Sequence, residues 1–156
     1  MVGTMRKKTK RQHWKLLDPL RHALLGAAIT ESRVLDKLRM RELAAIEAMS
    51  KGMGTTVEWQ ELADMMNICE VMASSGIGPE ALFHCQQAQE ALEEAARRYE
   101  KTKRMGLSGI GLTAIREVYE YHDLQRSSVS RSVYEQMIVK TRNRIRSKSK
   151  EVVEIK

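Results

Sequence analysis

Apolar residues recur along this chain at intervals of three and four, in stretches separated by glycine, proline and serine. That spacing predicts amphipathic helices. Asp18-Pro19 pairs an N-cap residue with a proline at the first helical position, which predicts a short helix to about Ile29. Thr30 can cap the next helix, in which Leu35, Leu38, Leu43, Ile46 and Met49 share a stripe and Gly52 and Gly54 end the run. Thr55-Thr56-Val57-Glu58 has the form of a capping box. Behind it Leu62, Met65, Met66, Cys69 and Met72 form the next apolar face. Ser75-Gly76-Ile77-Gly78 breaks the chain and Pro79 opens a helix carrying Leu82, Cys85, Ala88, Leu92, Ala95 and Tyr99, which runs to Gly106. Ser108-Gly109-Ile110-Gly111 precedes a fifth helix with Leu112, Ile115, Val118, Tyr119 and His122 on one side. After Ser127-Ser128, Ser130 or Ser132 caps a sixth, with Val133, Met137, Ile138, Thr141 and Ile145 inward.

Strand-like alternation persists nowhere except in the short EVVEI near the end, which reads as tail. The expected fold is therefore all-α, a compact bundle of five or six helices with flexible basic termini. The expected divisions are a basic arm over residues 1–16, of which 1–12 read as disordered, a helical domain over 17–147, and a tail over 148–156.

Composition narrows this picture. A length of 156 residues suits one domain. Apolar residues make up 42% of the chain but aromatics only 4%, so Leu, Ala, Ile and Met must fill the interior. Ten methionines suit core filling and also adaptable binding surfaces. The second and third helices, with Met40, Met49, Met53, Met65, Met66 and Met72, offer a candidate Met-rich groove for a protein partner. Cys69 and Cys85 stand sixteen residues apart without a C-x-x-C spacing, which predicts no disulfide framework and a reducing compartment. No apolar stretch precedes His13-Trp14, and no run reaches the length of a membrane span. A cytoplasmic protein without a membrane partner is expected.

Charge is the main clue to function. The net charge is +7, and the excess lies at the ends. Residues 1–16 hold six Lys or Arg and no acid, and residues 139–150 hold six more, again with no acid. The stretch 52–96 holds eight acids and no Lys or Arg. This acidic stretch can receive basic arms, either its own or those of a second copy in a homodimer, or simply form the solvated faces of two helices. A basic arm with an aromatic at its root suits phosphate contact plus stacking. Arg6, Lys7, Lys8, Lys10, Arg11, Trp14 and Lys15 are therefore candidate nucleic-acid contacts, although Trp14 by itself better suits plugging the core edge beside Leu16 and Leu17. The run Lys140, Arg142, Arg144, Arg146, Lys148 and Lys150 is the second candidate set. Alternate positions step about 200° around a helix, so these charges would spread around its end, where they also suit the helix dipole.

The tetrapeptide SGIG occurs twice, at 75–78 and 108–111, each time before a helix. The second copy, Leu107-Ser108-Gly109-Ile110-Gly111 with Ile115 and Val118 after it, resembles the hairpin of a helix-hairpin-helix DNA-binding element. The resemblance implies that backbone amides around Gly109 and Gly111 face a phosphate, and a helix N-terminus is an anion site on physical grounds. It covers about a dozen residues. The preceding Lys103-Arg104-Met105-Gly106 departs from that family's apolar spacing, and in the first copy Ala73 stands where a larger apolar residue is expected.

Catalytic patterns are missing from the sequence. His13, His22, His84 and His122 form no H-x-x-x-H or H-E-x-x-H motif. His84-Cys85 with Cys69 matches no common zinc spacing. Tyr119 to Asp123 gathers acid–base side chains, but consecutive helical residues point in different directions. A non-enzymatic protein without metal or cofactor is expected.

The stretches HALLGAAITESRVLDKLRMRELAAIEA and EYHDLQRSSVSR resemble small accessory proteins carried by phages and mobile elements of proteobacteria. That resemblance implies a bacterial cytoplasmic setting and two roles: regulating nucleic-acid transactions, or inhibiting a host machine such as a defence complex. The expected partner is nucleic acid or a nucleic-acid-containing complex, and the alternative is a protein target.

Overall fold

The computed structural model describes residues 32–147, which form five helices: α1 (Ser32–Ser50), α2 (Thr56–Ser74), α3 (Ala81–Thr102), α4 (Gly109–Ser127) and α5 (Arg131–Ser147). The expected arm, the short helix from Pro19 to Ile29 and the tail lie outside the described residues. The all-α bundle expected from apolar spacing is the fold found, and no strand occurs among the described residues.

The middle of the bundle is α2, which packs against all four other helices. Its sequence, TVEWQELADMMNICEVMAS, places apolar residues around much of its circumference, as a helix enclosed by neighbours requires. Trp59, Leu62, Ala63, Met65, Met66, Cys69, Val71, Met72 and Ala73 are all buried. Trp59 satisfies its indole N–H on the carbonyl of Leu92 in α3, at 2.8 Å. The capping box is present as spaced: the Thr55 hydroxyl accepts from the Val57 amide and Glu58 accepts from the Thr55 amide at 2.8 Å.

Several boundaries and faces differ from the sequence expectation. Helix α3 ends at Thr102, short of Gly106, because Lys103 adopts a left-handed conformation (φ 60°) and its amide bonds back to Tyr99. Leu43 and Leu82 point outward, and Glu42, Ala45 and Ala81 take the inward positions. The Met-rich groove does not form. Met49, Met65, Met66 and Met72 are core residues, and of the six only Met40 and Met53 are exposed.

At one end of the bundle the α1–α2 turn meets the α3–α4 turn. Gly54 pairs with Met105 in an isolated bridge, and the Leu107 amide donates to the Met49 carbonyl at 2.8 Å. The approach is so close that a β-carbon on Gly106 would stand 2.8 Å from the α-carbon of Gly52. Two distant loops thus become one surface.

Candidate nucleic-acid interface

That fused surface is basic. Residues 97–104 read RRYEKTKR, five basic side chains to one acid, and Lys51 joins them from the α1–α2 turn. The Arg104 guanidinium reaches to 3.5 Å from the position a Gly52 β-carbon would occupy, beside Lys51. Lys103 lies over the Tyr99 ring, 5.8 Å from its centroid. Lys51 pairs with Glu47 at 3.0 Å, and Arg98 bonds Glu94 at 2.7 Å and the Gly106 carbonyl at 3.1 Å. Arg97, Lys101 and Arg104 make no ion pair among the described residues. This cluster was openly written in the sequence as a dense basic run. Its partnership with Lys51 is purely tertiary.

The same end carries the start of α4. Ser108 is its N-cap but makes no side-chain capping bond, and no acid lies in the first turn. The first-turn amides of a helix have no intrahelical acceptor, so they offer partial positive charge outward. Gly109 sits at φ 54° with open space where a side chain would be. Gly111 is placed otherwise than the hairpin resemblance implies. A β-carbon there would stand 3.0 Å from that of Ala91, so its smallness lets α4 approach α3. Ile110 between them is exposed.

The structure divides the C-terminal basic set. Lys140 donates to the Ser75 hydroxyl at 2.7 Å and Arg144 pairs with Glu70 at 3.1 Å, so both hold α5 against α2. Glu70 belongs to the acidic stretch 52–96, which thereby receives one of the chain's own basic residues. Arg142 and Arg146 lie on the other flank of α5, exposed and without an ion pair among the described residues. Arg6, Lys7, Lys8, Lys10, Arg11, Trp14, Lys15 and Lys148 lie outside the described residues.

The acid–base residues of α4 serve the interior. Gln125 donates to the carbonyls of Cys69 and Ile77 at 3.2 and 2.8 Å. Its oxygen is then the acceptor for His122 Nδ1 at 3.0 Å, which leaves Nε2 to accept from the Tyr134 hydroxyl at 3.2 Å. Burial, reinforced by the nearby Arg126 charge, lowers the His122 pKa to about 3. The network is closed and the imidazole has no face toward a substrate. Neighbouring Tyr119 is buried and Glu120 exposed, so the run from Tyr119 to Asp123 is not one site.

Cys69 and Cys85 are neighbours between α2 and α3, both fully buried. His84 turns away from them and stacks on Tyr121, ring centroids 5.0 Å apart. Among the described residues no group of three or more His, Cys, Asp or Glu is arranged to hold a metal ion. None of the described helices is long and apolar enough to cross a membrane. Comparison with family models, curated proteins and solved structures finds no match to this chain. Its class therefore rests on its own architecture: an all-α bundle with a basic surface at one end.

Proposed function

We propose that this chain is a non-enzymatic, nucleic-acid-associated accessory protein that grips phosphates through the basic end of its bundle. The observation that carries this reading is the meeting of Lys51 and Arg104 where two turns join, with Lys103 after the end of α3 and Lys101 in its last turn, on the end of the bundle where α4 begins with an open N-terminus. Positive side chains next to outward-facing amides suit a phosphate backbone, and such contacts position a protein without reading sequence. The basic residues of 1–16 extend the same chemistry in sequence. The test is anisotropy of labelled double-stranded DNA and RNA across a salt series. Each phosphate contact contributes a slope of roughly 0.9 to the dependence of affinity on salt for duplex DNA. Replacing Lys101, Lys103 and Arg104 with Ala should flatten the slope by about two to three. Absence of binding at physiological salt, or a slope unchanged by these replacements and by deletion of residues 1–12, would refute the reading.

A further inference from the structure

A second surface lies across the bundle from the basic end. The chain has one phenylalanine, and it is 63% exposed at the start of α3. Phe83 meets His84 edge-on at 5.4 Å, and His84 stacks on Tyr121, so three rings run continuously across the seam between α3 and α4. Leu124, one turn beyond Tyr121, is 54% exposed. The helices are antiparallel here, since His84 meets Tyr121 while Ala91 meets Gly111. Moving along the seam from this apolar spot, Glu120 and Glu117 follow on α4 and Glu90 on α3. All three are exposed and make no hydrogen bond or ion pair among the described residues. Leu124, Tyr121 and Glu117 share one α4 stripe, and Phe83, Gln87 and Glu90 share one α3 stripe.

The outer flank of α5 carries the counterpart. Val139 is 51% exposed. Arg142 and Arg146 follow it at helical spacings of three and seven, on the same stripe, without ion pairs among the described residues. An apolar contact followed by unpaired cations over about 10 Å matches an apolar spot followed by unpaired carboxylates over a similar length. Charges left unpaired within one molecule, in complementary order on two of its faces, favour a second copy as occupant.

We infer that the protein self-associates head to tail, the α5 flank Val139–Arg142–Arg146 of one copy seating on the Phe83–Tyr121–Leu124 spot and the Glu117–Glu120–Glu90 seam of the next. Two different patches make the contact, so it does not close on itself as a two-fold dimer does, and chains or rings result. The surfaces are small, which sets a weak, concentration-dependent association. The contact engages Arg142 and Arg146 and leaves phosphates to the opposite end of the bundle. It does not rest on the nucleic-acid reading, and its test uses protein alone.

The experiment is sedimentation equilibrium of the full chain from micromolar to submillimolar concentration at low salt. The wild-type mass should rise with concentration and fall back with added salt. Glu117→Arg/Glu120→Arg and Arg142→Glu/Arg146→Glu should each weaken association by about tenfold or more. All four positions are solvent-exposed, and circular dichroism melts confirm that the variants fold. Mixed in equal amounts, the two variants should associate again in alternation, because the two reversed patches fit each other and so do the two left intact. Phe83→Ser should weaken association without a change of charge. A wild-type chain that stays monomeric throughout, variants that associate as the wild type does, or a mixture that recovers no association would overturn the inference.

Discussion

Arg126 on α4 forms a two-pronged ion pair with Glu42 on α1, at 2.6 and 2.8 Å, with both side chains withdrawn from water. Asp123 accepts from Arg126 at 3.2 Å and from Arg39 of α1 at 2.8 Å, so the two helices are joined by a short chain of charges. Burial raises the Glu42 pKa despite the opposing pull of Arg126. Burial also works to lower that of Arg126, but the bonds and charge of Glu42 outweigh it and the pKa rises. Removing one member leaves an unpaired buried charge. Arg126→Met should therefore cost roughly 3–5 kcal/mol. The double variant Glu42→Leu/Arg126→Met should recover most of the loss. Denaturant unfolding of the wild type and the two variants checks this, and equal stability of the single and double variants would contradict it.

Beside that pair, His122 is held neutral, and the fold's acid sensitivity follows. Its folded pKa of about 3 lies below its ordinary value of 6.5, so between these limits the unfolded chain binds more protons. Stability from this group is complete above pH 6.5 and is lost as pH falls toward 3, by at most about 1.4 kcal/mol per unit. The raised pKa of Glu42 acts in the opposite direction, since that carboxyl gains a proton more readily in the fold. His122→Gln should be less stable at neutral pH yet lose less stability on acidification. Chemical denaturation at pH 7 and pH 5 measures both slopes, and parallel slopes would assign the acid sensitivity elsewhere.

The sequence shows the helices better than their faces. Thr55 and Glu58 announce the start of α2 because a capping box is a local contract between residues three apart. Leu43 and Leu82 were drawn into apolar stripes because periodicity tolerates a neighbouring position, and only the packed partner decides between Leu43 and Ala45. Glu42 and Arg126 carry no sign of burial, because a charge is read as surface until its counter-charge, 84 residues away, is placed against it. The basic end is legible as RRYEKTKR, whereas its union with Lys51 depends on loops brought together by glycine.

Gly106 provides a sharp test of that union. Its missing β-carbon would lie 2.8 Å from the Gly52 α-carbon and 3.0 Å from the Met49 carbonyl oxygen, both backbone atoms that cannot rotate aside. Gly106→Ala should cost roughly 1–3 kcal/mol by overpacking. It should also weaken polyanion binding by spreading Lys51 from Arg104. Thermal melts paired with the anisotropy assay check both effects, and a neutral substitution would mean the loops are not tightly joined.

Cys69 and Cys85 give a reporter for the opening of α2 from α3. Thiol chemistry needs a thiolate and a path to it; burial denies the path to both residues, and Cys69 is also held as the thiol. Both residues are fully buried, and the neighbouring Cys85 thiol, followed by burial, pushes the Cys69 thiol far above its ordinary range. A small aromatic disulfide reagent should therefore find no reactive thiol in the native chain and two per chain in denaturant. Where closing is faster than labelling, the native rate scales with the population of open molecules. The destabilised Arg126→Met chain should then label faster, by about tenfold for each 1.4 kcal/mol of lost stability, since α4 packs directly on both α2 and α3. Rapid labelling of the native wild type would show that α2 and α3 part locally. A rate unmoved by Arg126→Met would show that they open independently of the α1–α4 ion pair.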